Sequence, residues 1–220
     1  MKVTVRKEPL RKILKWSQRA LIACGVLLLG YCGFALVDAW NFQRRANRDL
    51  DRLMRDRRAA SAAAAHGQAA AVPVVAPAVV TGSLIGRIEI PRLQLSVVVI
   101  EGVDKISLRR AVGHIPGTAM PGAAGNVGLA GHRDTFFRPL KDVKIKDEIQ
   151  IATPRGIFQY EVVTLKVVQP EDVGVLAPSD QNVLTLVTCY PFYYVGAAPQ
   201  RWIVRARQVS GVPLASSSMK

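Results

Sequence analysis

Three side chains in this 220-residue chain combine into a recognisable chemistry: the thiol of Cys189, the imidazole of His132 and the guanidinium of Arg201. A thiolate is a strong nucleophile. An imidazole can withdraw its proton or stabilise it as the imidazolium, then protonate a leaving amine. A planar guanidinium can bind a carbonyl oxygen and the negative charge that grows on it. Each has a plainer alternative. A lone cysteine is often an inert core residue, and Arg201 shares its strand with Arg205 and Arg207, so it can also be one member of a solvated face. His114, in Gly113-His114-Ile115-Pro116-Gly117, competes with His132 but reads as a turn imidazole capping backbone groups. His66 falls in a segment without a core. No Asp or Glu holds a sequence position that compels a third-member role, and Asp134 can simply brace a loop.

These groups are useful only if rigid elements hold them, because misplacement by about an ångström costs orders of magnitude in rate. Cys189 closes the alternating run Val183 to Thr188 and is followed by Tyr190-Pro191, which stops a strand. Asn126 to Ala130 is a short strand opening onto Gly131-His132. Arg201 to Arg207 is a strand with Trp202, Val204 and Ala206 on one face and arginines on the other. Further strands are expected at Gly86–Ile90, Leu95–Ile100, Glu148–Ala152 and Ile157–Val163, the last two as a hairpin across a four-residue connection at 153–156. Ser107 to Val112 reads as a short helix capped by Ser107, and Phe136 to Leu140 as one tight turn. About eight short strands with Gly/Pro turns suggest a mostly-β, closed or nearly closed barrel.

Upstream the composition changes. Ala20 to Val37 runs eighteen residues without a charge, reaching roughly 27 Å as a helix. No small-x-small cleavage site ends it, which favours an uncleaved signal anchor over a removed signal peptide. Seven Lys/Arg precede the run and seven follow it by Arg58, but the N-terminal group lies closer, so an N-in, C-out orientation is expected. The formal charge of +14 is therefore not a nucleic-acid signature. Almost half of the basic residues flank the span, where they can meet anionic lipid headgroups. Cys24 and Cys32 lie inside the span, which leaves Cys189 unpaired in an oxidising compartment. No His/Cys cluster points to a metal and no cofactor motif is present. The segments read as a cytoplasmic tail (1–19), a transmembrane anchor (20–37), a juxtamembrane stalk and Ala/Pro linker (38–80), a folded domain (81–212) and a tail (213–220).

Gly131-His132-Arg133-Asp134, the stretch Thr185-Leu-Val-Thr-Cys189 that fits a TLxTC pattern, and Pro199-Gln200-Arg201 together resemble the sortase family of cysteine transpeptidases over residues 81–207. Gly113 to Thr118 is similar to the turn before the histidine strand in class D-like and class E-like members. The resemblance implies an eight-stranded sortase-like β-barrel with short helices, with His132, Cys189 and Arg201 as the catalytic residues. It implies cleavage of an LPxTG-like motif in secreted proteins through a Cys189 thioester, and transfer to an amine of a peptidoglycan precursor or a protein lysine. The alternatives are an extracytoplasmic peptide-binding barrel without catalysis and a cysteine endopeptidase that only hydrolyses. The Ala/Arg-rich stalk departs from what a Gram-positive wall-anchoring enzyme suggests, and Glu171 and Asp172 read as solvated loop residues rather than a calcium cluster.

Overall fold

A computed structural model of the chain describes residues 7–65 and 80–213; His66, most of the Ala/Pro linker and the tail from 214 lie outside the described residues. The order is α1 (Lys7–Ala65), β1 (Leu84–Ile90), β2 (Leu95–Glu101), α2 (Lys105–Arg110), β3 (Val112–His114), β4 (Asn126–Ala130), β5 (Glu148–Thr153), β6 (Gly156–Val168), β7 (Val183–Tyr190) and β8 (Gln200–Pro213), with short 3-10 turns at Pro91–Leu93, Arg138–Asp142 and Val173–Leu176. The eight strands close into a barrel in the order β1-β2-β3-β4-β7-β8-β6-β5. Closure removes every sheet edge, which is how a chain of short strands avoids exposing unpaired backbone.

The chain forms two compact units, Met1–Asn41 and Phe42–Lys220. The first carries the apolar part of α1. Among the described residues it is the one helix long and apolar enough to cross a membrane, and none of its apolar window is buried. In the second unit, the outer part of α1 does not stand free as a stalk. Ala46, Leu50 and Met54, at a spacing of four, are buried against the barrel. Ala46 joins Val98, Ile100 and Ala111, while Leu50 and Met54 join Ala152. The Gln43 side-chain amide donates to the Arg110 carbonyl at 2.7 Å, and its oxygen accepts the Val98 N–H at 3.0 Å.

This docking accounts for the unbroken apolar run of β2. Leu95, Val97 and Val99 face the barrel core, and Val98 and Ile100 face α1, so only Ser96 is exposed. Fully burying a side chain such as Leu50, which has no exposed surface, contributes about 1.5–3 kcal/mol.

Three local expectations change. Asp104, not Ser107, caps α2: its carboxylate accepts the Ile106 and Ser107 N–H groups, and the Ser107 hydroxyl donates back to it. The β5–β6 hairpin turns over two residues, Pro154 and Arg155, since Thr153 pairs with Gly156. The Thr153 hydroxyl accepts the Arg155 and Gly156 N–H groups at 3.0 and 3.2 Å, so the side chain supplies the turn that an Asn-Gly pair supplies elsewhere. β6 runs to Val168, past bulges at Gln159/Tyr160 and Val162/Thr164 that break its alternation. On β8, Val204 and Ala206 do enter the core and Trp202 packs against it.

Candidate active site

Parity along three adjacent strands builds the site on the outer wall of the barrel. Leu184 and Leu186 on β7, and Val127 and Leu129 on β4, point into the core. Their neighbours Thr185, Val187 and Cys189, and Asn126, Gly128 and Ala130, therefore line the opposite face. β4 and β7 run parallel, with Gly128 beside Thr185 and Ala130 beside Val187. Two residues past that last pair come His132, just beyond the end of β4, and Cys189, still within β7. β7 and β8 run antiparallel, and Cys189 is directly opposite Arg201. The topology thus brings all three predicted residues to one rim. Cys189 is the penultimate residue of β7, one short of the strand end at Tyr190.

His132 is exposed and Cys189 half-buried. Neither the imidazole nor the thiol is committed to a hydrogen bond among the described residues, and no carboxylate braces His132 there. Arg201 donates through Nη1 to the carbonyls of Ala198 and Gln200 at 3.2 and 3.0 Å, which fixes the plane of its fork and leaves its other N–H groups for a ligand. His114 is not a rival base. It is buried, with Nδ1 at 2.7 Å from Glu101 and Nε2 at 3.0 Å from the Ala119 carbonyl, so both nitrogens are occupied.

The positioning residues are those that sequence reasoning passed over. The buried Thr188 hydroxyl donates to the Gly131 carbonyl at 2.7 Å, and the Gly131 N–H donates to Val187 at 3.2 Å, so the cysteine strand holds the residue before His132 from both sides. Gly131 has no room for a side chain, since a Cβ there would meet the Phe137 ring at 2.7 Å.

Arg133 is buried. It donates to the carbonyls of Pro191, Tyr194 and Gly196 at 2.9, 2.6 and 3.0 Å and lies 5.9 Å from the Tyr194 ring centroid. It thereby pins the loop that joins Cys189 to Arg201. Asn126 uses both amide hydrogens on the Val175 and Ala177 carbonyls at 3.1 Å, while its oxygen accepts the Thr185 hydroxyl at 2.7 Å. The turn at Val173–Leu176 is thus fastened to β4, and Leu176 would lie 3.1 Å from any Cβ on Gly128. Two threonines inside an apolar strand and an asparagine at a strand start were the available signals, because a buried polar side chain needs a partner.

No group of three or more His, Cys, Asp or Glu that could hold a metal occurs among the described residues. The arrangement can deliver a thiolate to a carbonyl carbon, an imidazole to the leaving or entering nitrogen, and a fixed cation to the carbonyl oxygen.

Comparison with known proteins agrees with this chemistry. The model of the sortase domain matches residues 88–209. Sortase D of Bacillus subtilis is 32% identical over 196 residues, spanning 86% of this chain and 96% of that protein. Among solved structures, a Clostridium perfringens sortase D5 transpeptidase is 34% identical with a TM-score of 0.56, covering 60% of this chain and 83% of the other. Sortase E1 of Streptomyces coelicolor, solved with a tripeptide in its active site, is 31% identical with a TM-score of 0.54 and covers 60% and 91%.

Proposed function

The chain belongs to the sortase family and is a membrane-anchored cysteine transpeptidase, and we propose that Cys189, His132 and Arg201 are its nucleophile, its acid/base and its oxyanion clamp. The observation that carries this assignment is the register: Arg201 opposite Cys189 on β8, and His132 two residues beyond the last β4–β7 pair.

The reaction then runs as follows. The Cys189 sulfur attacks the carbonyl carbon of the scissile peptide bond, and negative charge collects on its oxygen beside the Arg201 fork. As the carbon–nitrogen bond breaks, His132 gives a proton to the leaving amine, and the acyl group stays on sulfur as a thioester. An incoming amine loses a proton to His132 and attacks the same carbon. The thiolate departs, leaving a new amide. Thioesters react well with amines, so transfer competes with hydrolysis.

Family membership implies LPxTG-like substrates and amine acceptors in general. For this chain we assign secreted proteins carrying such a motif near the C-terminus, with a peptidoglycan precursor amine or a protein lysine as acceptor. The barrel works on the extracytoplasmic side of a single-pass anchor.

The full chain in neutral detergent, given an LPxTG-like peptide and excess small amine, yields peptide joined to the amine by mass spectrometry. Cys189→Ala yields none. Hydrolysed peptide alone across several amines would establish the hydrolytic alternative, and no cleavage of any sorting peptide would establish the binding barrel.

A further inference from the structure

Away from the catalytic rim, the outer part of α1 and the β5–β6 hairpin enclose a cleft of about 480 Å³ whose lining includes Arg48, Arg55, Arg58 and Arg87. Its floor is apolar, formed by Met54, Ala152 and Ile157. With about 100° per residue, Arg58, Arg55 and Arg48 span about 80° of the helix surface, beginning about 40° from Met54 and running round toward solvent, while Asp49 and Asp56 lie about 80–100° farther round.

The cleft has one lining carboxylate, Asp51, and that one is engaged by Arg87 at 3.3 Å. Arg87 is further held by Glu89 at 2.6 Å and Asn47 at 3.4 Å. The helical pairing of Asp51 with Arg55 suggested by their spacing is not made through the carboxylate. Arg55 Nε donates instead to the Asp51 backbone carbonyl at 3.3 Å, and Arg48 Nε to that of Arg44 at 3.2 Å. Each guanidinium is thereby anchored at Nε with its Nη groups available. No carboxylate pairs with Arg48, Arg55 or Arg58 among the described residues.

We propose that this cleft is a binding site for a phosphate anion, with Arg48, Arg55 and Arg58 as its ligands. Three guanidinium forks with unused Nη groups match the several acceptor oxygens of a phosphate, and forks bind such oxygens in pairs. The apolar floor accommodates the carbon skeleton attached to a phosphodiester. A phospholipid headgroup and a soluble phosphate compound present the same chemistry. The site is separate from the residues assigned to acyl transfer, and it stands whether or not those assignments hold.

The test uses the full chain in neutral detergent micelles and maps arginine modification by phenylglyoxal with peptide mass spectrometry. Three arms add inorganic phosphate, phosphatidylglycerol or phosphatidylcholine. Labelling of Arg48, Arg55 and Arg58 falls with one or both of the first two, while Arg109 labels unchanged. Protection by phosphatidylglycerol alone identifies a lipid headgroup as the source, and protection by inorganic phosphate shows that a free phosphate suffices. Combining Arg48→Gln, Arg55→Gln and Arg58→Gln weakens binding of the protecting compound about tenfold or more, the loss expected for even one charge-assisted contact. Combining Lys105→Gln, Arg109→Gln and Lys166→Gln removes equal charge and leaves binding intact. Absence of protection in every arm, equal protection of Arg109, or equal weakening in both variants overturns the proposal.

Discussion

Thr188→Val tests whether the tie between the cysteine strand and the histidine segment matters for the chemistry. Valine matches threonine in shape, so the change removes one hydroxyl at a buried position and little else. The Gly131 carbonyl loses its 2.7 Å partner and remains buried, which costs about 1–3 kcal/mol. With an unfolding entropy of about 2.1 cal/mol/K per residue over roughly 130 residues, the melting temperature falls by about 4–11 °C. The carbonyl moves to find another donor, and His132 follows it, since Gly131 retains only the 3.2 Å bond to Val187. A displacement near one ångström lowers kcat by about 10² or somewhat less. Near-ultraviolet circular dichroism gives the melting temperature, and peptide–amine ligation well below it gives kcat for fully folded protein. Thr188→Ser keeps the hydroxyl and restores most of the rate. A Thr188→Val protein that melts earlier but ligates at the wild-type rate would refute the positioning role and leave only a structural one.

Arg201→Lys keeps a positive charge but loses the planar fork, and kcat/KM falls by about 10²–10³; a near-wild-type value in steady-state ligation would pass the clamp to another donor. Asn126→Ala releases the Val175 and Ala177 carbonyls and the Thr185 hydroxyl, which costs about 1–3 kcal/mol; an unchanged denaturant midpoint would refute that fastening role. Asp147 receives Arg92 at 2.5 Å through both carboxylate oxygens and the Lys144 N–H at 2.8 Å. Hydrogen bonds from Arg92, opposed by burial and aided by Lys144, hold its carboxyl below the usual carboxylate range. Its contribution is therefore complete above the unfolded value of about 4 and is lost as pH falls through the lower folded value. Asp147→Asn is less stable than wild type at neutral pH, and denaturant midpoints taken from pH 7 downward converge in acid; a constant gap would refute the linkage.

Strand positions were legible from alternation where one face is partly solvated, as in β1 and β5, and from short apolar runs bounded by turn residues where both faces are covered, as in β2, β4 and β7. β4 matches the expected bounds, and β1, β2, β5 and β7 differ by a residue or two. The eight-stranded barrel is as expected from the number of short strands and from the family resemblance. β6 was read short because its two bulges shift the alternation that marks a strand. The docked face of α1 was written in Ala46, Leu50 and Met54, but arginines and aspartates around them gave the segment the look of a solvated stalk. The rim residues were legible because their types are rare: one cysteine lies outside the apolar span, and of the three histidines His66 falls in the linker and His114 reads as part of a Gly/Pro turn. The hydrogen bonds that hold them were not. Arg133 binds carbonyls around sixty positions away, and Asn126 binds others about fifty away. Such partners emerge only from the pairing of parallel strands, whose register no local pattern encodes. His114 was hidden in the same way, since Glu101 lies beside it through the parallel β2–β3 pair.

The parallel pairing of β4 with β7 also orders events in time. Parallel neighbours need a long crossover, and here the chain between them lays down the β5–β6 hairpin, which binds β1 on one side and β8 on the other. Closing so long a loop is entropically slow, so this contact forms late. The segments that carry Cys189 and His132 consequently come together only after most of the wall stands. On the proposed roles of Cys189 and His132, a nascent or partly unfolded chain carries the thiol without the imidazole, and reactivity arrives only with the completed scaffold.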